Sequence, residues 1–239
     1  RVFIDGKEMD SYETPFGIRT IEFTHDQGFM LNGQKVAIKG VCMHHDLGAL
    51  GAAFNEVAAE RQLRIMKEMG ANAIRTSHNP PAPELVALCD RMGLMMQLEL
   101  ADTWQKGKRK NDYNLLFDDW SEADMRSLVR HYRNHPSVLF WSMANESYWN
   151  KEFAQIQEYV YKADSTRPHT FHDQAYGGFN NQGSTAPIAN IHYPGPDGYK
   201  VAAKSNRPMV YGEYCHLNVY NRSELVTDPG IRSDWALAL

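Results

Sequence analysis

The stretch Ala73-Ile74-Arg75-Thr76, then Pro83-Glu84-Leu85-Val86-Ala87-Leu88-Cys89-Asp90-Arg91-Met92-Gly93, then Leu94-Met95-Met96-Gln97-Leu98-Glu99, decides the fold. A short apolar run precedes a segment that proline opens and glycine closes, and a second apolar run follows. Proline suits a first helical turn, where its missing N–H would have no partner anyway, and glycine suits the left-handed residue after a last turn. The unit is therefore strand, crossover helix, parallel strand.

The same grammar repeats on both sides. The predicted strands are Val36 to Val41, Ala73 to Thr76, Leu94 to Glu99, Val138 to Met143, Thr170 to His172, Ala189 to His192 and Met209 to Tyr211. Between them lie predicted helices at Glu56 to Met69, Glu84 to Met92, Ser121 to Tyr132 and Phe153 to Ala163. In the first of these, Leu63, Ile65, Met66 and Met69 form an apolar face and Gly70 supplies the stop. Alternating strands and helices imply a parallel sheet in an α/β chain. Seven such strands are one fewer than a TIM (β/α)8 barrel, a fold of about 250 residues. The apolar run Trp235 to Leu239 reads as the start of an eighth strand or the helix before it.

Upstream the pattern is all-β: Val2 to Ile4, Ile18 to Phe23, and Gly28 to Gln34 with an Asn32-Gly33 turn. Residues 1–27 are accordingly expected to be the end of a β-sandwich, immunoglobulin-like domain with its linker, and residues 28–239 the barrel. Since the first residue is Arg1, a natural start upstream and an export signal remain open. The Gly/Asn-rich segment Gly177 to Ser184 is long enough for a functional loop.

Composition excludes several classes. The 239 residues are 43% hydrophobic and 23% charged, with a formal charge of -4, so nucleic acid finds no basic footprint. The densest basic stretch, Lys106 to Lys110, reads as a solvated loop. No apolar run approaches the roughly 20 residues of a membrane helix. The expected protein is soluble, with the choice between cytoplasm and periplasm open. Cys42, Cys89 and Cys215 are odd in number and widely spaced, against a disulfide framework. Cys215 reads as a small packing residue.

Two segments carry the chemistry: Trp141-Ser142-Met143-Ala144-Asn145-Glu146 and Tyr211-Gly212-Glu213-Tyr214-Cys215-His216. Each sets a carboxylate at the carboxyl end of a predicted strand, the fourth and the seventh, where barrel enzymes build their sites. Paired carboxylates there suit glycoside hydrolysis. Separations of about 5 to 5.5 Å give retention of configuration, and about 6.5 to 9.5 Å give inversion.

Four ordered motifs then carry a resemblance: Lys39 to Asp46, Arg75 to Pro80, Asn145-Glu146, and Glu213 to His216. Together they resemble glycoside hydrolase family 2, most of all its β-galactosidases, from about residue 12 to the end. The resemblance implies retention, with Glu213 as nucleophile and Glu146 as general acid/base. It implies sugar contacts for His44 and His78, a hydrogen bond from Asn145 to the 2-hydroxyl, one from Tyr193 to the nucleophile, and a substrate contact for His216.

Some positions stay open. Arg75 suits either orientation of Glu213 or a structural ion pair, and His192 suits the core as well as the site. Trp141, Trp149 and Trp235 read as core, whereas Trp104, in the loop after the third strand, is expected to line the cleft. Around the third strand related β-galactosidases carry an Asp-Glu pair followed by Glu and His ligands for magnesium; Glu99 of the pair is retained, but Thr103 and Gln105 stand at the ligand positions. No cofactor is therefore expected, and a subsite reshaped near Asp102 and Trp104 is. The expected partner is an oligosaccharide, most simply a β-galactoside. A β-glucuronidase, a β-mannosidase, a non-catalytic carbohydrate-binding barrel, and homo-oligomers formed through further domains remain open.

Overall fold

A computed structural model of the chain describes residues 1–147, 152–172, 184–194 and 198–214. Twelve strands and five α-helices follow in order among them. Strands β1 (Val2–Ile4) and β2 (Lys7–Asp10) form one hairpin, and β3 (Ile21–Thr24), β4 (Gly28–Leu31) and β5 (Gln34–Lys35) a three-stranded antiparallel sheet. Then come β6 (Gly40–His44), α1 (Glu56–Glu68), β7 (Ala73–Ser77), α2 (Pro83–Met92), β8 (Met95–Glu99), α3 (Phe117–Tyr132) and β9 (Val138–Ser142). The order ends with α4 (Glu152–Ala163), β10 (His169–His172), β11 (Ile188–His192), α5 (Gly198–Ala202) and β12 (Met209–Glu213).

Strands β6 to β12 form one seven-stranded parallel sheet in strict sequence order, a nearly closed barrel that among the described residues has seven of a TIM barrel's eight strands. Its inner strands β7 and β9 are buried at every residue, while β6 and β12, at the two ends of the order, are only partly covered. The local signals act as their chemistry requires. The Asn55 side chain accepts a hydrogen bond from the Ala58 N–H and so caps α1, Pro83 opens α2, and Gly93 ends it at φ 71°. Asn32 and Gly33, at φ 51° and 76°, make the turn between β4 and β5. A similar Asp5-Gly6 turn, at φ 52° and 80°, creates β2, which the strand pattern alone does not announce.

The first barrel strand is the main correction. It was expected at Val36 to Val41 and forms at Gly40–His44. Val36 donates its N–H to the Phe29 carbonyl instead, extending the small sheet. Val36 and Ile38 join Phe29, Leu139, Phe140 and Ile188 in a separate apolar cluster that covers part of the barrel. The β3–β4 hairpin spans residues 27 and 28, and so straddles the expected domain boundary.

Trp104 is the second correction. It is 1% exposed and packs against Phe117, Phe153 and Phe171, with ring centroids 4.7 to 6.0 Å away, and its indole N–H donates to the Met143 carbonyl. It sits in the layer between strands and helices, not in the cleft. Replacing so large a buried ring leaves a cavity, so Trp104→Ala should lower unfolding stability by roughly 3–5 kcal/mol in urea titrations. A cleft platform would instead show normal stability and a raised KM.

Candidate active site

The site forms where the parallel strands end. Arg75 lies inside β7; Glu99, His192 and Glu213 are the last residues of β8, β11 and β12; His78, Tyr193 and Asn145-Glu146 lie in the segments just beyond their strands. A cavity of about 1220 Å³ is lined by Glu146, Glu213, Arg75, His44, His78, Asn145 and Tyr193, among others. Of the predicted site residues only Trp104 stands away from it; His216, with Cys215, Trp149 and Trp235, lies outside the described residues.

Arg75 is 4% exposed, and every N–H of its guanidinium has an acceptor. Nε and Nη2 reach the Glu99 carboxylate at 3.0 and 2.8 Å, and Nη2 also reaches Asn145 Oδ1 at 2.7 Å. Nη1 reaches Glu213 Oε1 at 2.7 Å and Cys42 Sγ at 3.5 Å. Burial opposes this charge, but Glu99, Cys42 and Glu213 outweigh it and raise the guanidinium's pKa further. The even choice between orienting Glu213 and forming a structural ion pair thus resolves into both at once.

Glu99 is fully buried and also accepts from Ser142 Oγ at 2.7 Å, while His78 Nδ1 lies 2.6 Å from its other oxygen. Burial would raise its pKa, yet Arg75, then His78 and Ser142, hold it down to about 2. At the positions where related β-galactosidases ligate magnesium, a hard cation needs several available, preferably charged oxygens. Thr103 offers a hydroxyl there and Gln105 a neutral amide that donates to Asp118. The residues do not fit a magnesium site.

The two candidate catalytic carboxylates have different surroundings. Glu213 takes Arg75 on Oε1 and the Tyr193 hydroxyl on Oε2, with His78 Nε2 at 3.9 Å. Burial pushes its pKa up, but neighbouring His192, Tyr193 and Arg75 bring it down to about 2. Burial disfavours a charge on His192 itself, so near neutral pH Arg75 and Tyr193 carry the effect. Tyr193 holds its place through a backbone N–H bond to the Glu213 carbonyl at 2.7 Å and a left-handed φ of 47°. Among the described residues no Lys or Arg pairs with Glu146. His192 Nδ1 lies 2.9 Å from its Oε1. A Glu146 oxygen, a Glu213 oxygen and a His192 nitrogen all fall within 4.8 Å of one another.

Asn145 bridges two sides, accepting from Arg75 and donating Nδ2–H to Asp102 Oδ1 at 2.7 Å, where Lys108 Nζ also donates at 2.7 Å. Its backbone N–H is tied to the Ala101 carbonyl. His44 and His78 meet edge to face at 5.4 Å on the rim, and burial lowers the pKa of His44. The sequence leaves His192 between core and site, names Asp102 only as the neighbourhood of a reshaped subsite, and does not single out Lys108. Position at a strand end was the one available signal for His192, and a carboxylate three residues past Glu99 the one for Asp102.

A family profile described as "Glycosyl hydrolases family 2, TIM barrel domain" matches residues 22–223. The chain belongs to this family. A β-galactosidase of Bacteroides ovatus is 56% identical over 138 residues, which cover 58% of this chain and 16% of that protein. A β-glucuronidase of Bacteroides fragilis is 34% identical over 144 residues, covering 59% of this chain and 21% of that protein. The crystal structure of a glycosyl hydrolase family 2 member from Bacteroides cellulosilyticus superposes with a TM-score of 0.76 at 35% identity, over 84% of this chain and 27% of that one. The chain thus spans less than a third of the length of each of these relatives.

The family 2 barrel here binds its stability to its site. Glu99 has a depressed pKa, so the stability it contributes is complete above the usual carboxylate range, near pH 4.5, and is lost as pH falls towards about 2. Glu99→Gln should cost roughly 3–5 kcal/mol at pH 7, because it leaves Arg75 buried without its main counter-ion. Urea unfolding across pH 2 to 7 should show a flatter acid slope in that variant than in the wild type; an equal slope would exclude Glu99 as the titrating group.

Proposed function

We propose that the protein is a retaining β-glycosidase that acts on β-galactosides of oligosaccharides by double displacement, without a resident metal. The observation that carries the reading is the approach of Glu146 and Glu213 oxygens to within 4.8 Å. An approach of that size supports grouping them with the close carboxylate pairs of retaining enzymes, about 5 to 5.5 Å apart, over the wider pairs of inverting ones.

The surroundings support opposite roles. Arg75 and Tyr193 hold Glu213 ionised and oriented, as a nucleophile needs. Glu146, without a cation, is the group that can carry a proton to the leaving oxygen as Glu213 attacks the anomeric carbon. While Glu213 is ionised, its charge opposes loss of that proton. Once Glu213 is esterified to the sugar the charge is gone, and Glu146 can take a proton from the attacking water. Asn145 keeps one amide N–H beyond its bond to Asp102, and that hydrogen suits the sugar 2-hydroxyl. His44 and His78, on the rim, suit the remaining hydroxyls.

Galactose is favoured by the relation to the Bacteroides ovatus β-galactosidase. The β-glucuronidases among the relatives supply a second reading, for which exposed Arg109 on the cavity wall is a cation a uronate would meet. Residues 1–27 as the end of a sandwich domain, and His216 as a substrate contact, are parts of the same proposal.

Nitrophenyl β-galactoside, β-glucuronide and β-mannoside assayed on the full-length protein should show the galactoside hydrolysed fastest; turnover of glucuronide alone would overturn that choice. Incubation with a 2-fluoro-β-galactoside should add one glycosyl unit to Glu213, detectable by peptide mass. Glu213→Gln and Glu146→Ala should each lower kcat by about 10²–10⁴-fold or more. A non-catalytic sugar-binding barrel would give neither adduct nor loss.

A further inference from the structure

Beyond the catalytic pair, His192 is the side chain the reaction scheme leaves without a task. It is 1% exposed at the end of β11. Its Nδ1 faces Glu146 Oε1 at 2.9 Å from the segment after β9, and Glu213 Oε1 at 3.7 Å from β12. A ring nitrogen set against two carboxylate oxygens is a donor, so the proton of the neutral ring belongs on Nδ1. The other face of the ring is fixed by β12. At Gly212 a Cβ would stand 2.6 Å from His192 Nε2 and 2.6 Å from Asn190 Oδ1, and the Gly212 N–H donates to that Asn190 oxygen. Only glycine admits the ring this close to the strand that ends in the nucleophile.

We infer that His192 is a positioning residue for the acid/base. It donates Nδ1–H to Glu146 Oε1 through both half-reactions, so that Oε2 is the atom that carries the catalytic proton. In the first step Oε2–H passes its proton to the leaving oxygen as the glycosidic bond breaks and the bond from Glu213 to the anomeric carbon forms. In the second, Oε2 takes a proton from the water that attacks that carbon as the Glu213 bond breaks. The proton on Nδ1 stays in place throughout, and the cycle returns Glu146 to its protonated state.

The hydrogen bond also fixes the plane of the Glu146 carboxyl beside Glu213, and without His192 that carboxyl is free to rotate away from the leaving oxygen.

The inference rests on the double-displacement reading, and one set of measurements separates the two. Full-length wild type, His192→Leu and His192→Asn are compared on 2,4-dinitrophenyl and methyl β-galactosides, with kcat and KM followed across pH. The dinitrophenolate leaves without protonation, so its glycosylation needs no acid. His192→Leu should lose about 10–100-fold in kcat/KM on the methyl galactoside. On the dinitrophenyl galactoside it should keep kcat/KM within about 3-fold while kcat falls, because deglycosylation still needs the base. His192→Asn keeps an N–H donor near the position of Nδ1 and should recover most of the loss.

Equal losses of kcat/KM on both substrates, or no recovery by Asn in a folded variant, would overturn the role of His192. A wild type that turns over none of the glycosides would instead overturn the functional reading beneath it. If His192→Leu fails to fold, the His192→Asn profile decides, since full wild-type leaving-group dependence is expected of it.

Discussion

The mouth of the barrel depends on one buried guanidinium. Taking Arg75 out of water costs several kcal/mol, and only a complete set of partners makes the position tenable. Two of its nitrogens grip Glu99, and the remaining hydrogens reach Asn145, Glu213 and Cys42. A lysine has one charge centre and three hydrogens, and cannot serve four neighbours on β6, β8, β12 and the segment after β9. The planar fork also fixes where the carboxylates sit, so the same bonds that make the charge tolerable set the orientation of Glu213.

That constraint explains why two glutamates a few ångströms apart differ in character. Glu213 stands against a permanent cation and a phenol, and is kept ionised with a pKa of about 2. Glu146 meets a buried imidazole that burial keeps neutral. The difference lies in what each side chain faces, a permanent cation for Glu213 and a neutral ring for Glu146. The division needs Arg75 to lean towards β12, and Glu99 makes this possible by holding the other side of the fork from β8.

The parallel barrel and both glutamates are legible in the sequence because each has a local signal. Strand and helix periods, Pro83, Gly93 and the Asn32-Gly33 turn act over a few residues, and a carboxylate at the end of an apolar run is visible without knowing its neighbours. The misreadings arise where distant packing decides. Val36 to Ile38 is as apolar as a barrel strand, yet it joins Phe29 and Phe140, which lie far apart in the chain. Trp104 sits after a strand end like the site residues, but Phe117, Phe153 and Phe171 give its ring an apolar enclosure. His192 was undecidable because its partners come from two other strand ends, and the role of Glu99 as counter-ion of Arg75 needs a contact across two strands that no local signal announces.

The same contacts act on the seam of the barrel. Strands β6 and β12 stand at opposite ends of the seven-stranded order and share no backbone ladder among the described residues. Across that gap run the Cys42 thiol to the Gly212 carbonyl at 3.5 Å and, one strand further in, Arg75 to Glu213 at 2.7 Å. A thiol is a weak donor, so the charged pair is the stronger tie. It is also the bond that orients the Glu213 carboxylate. Spreading the seam would lengthen the Arg75–Glu213 contact first and raise the proton affinity of Glu213. In this arrangement the alignment of the catalytic pair and the closure of the barrel are one mechanical condition, expressed through a single guanidinium.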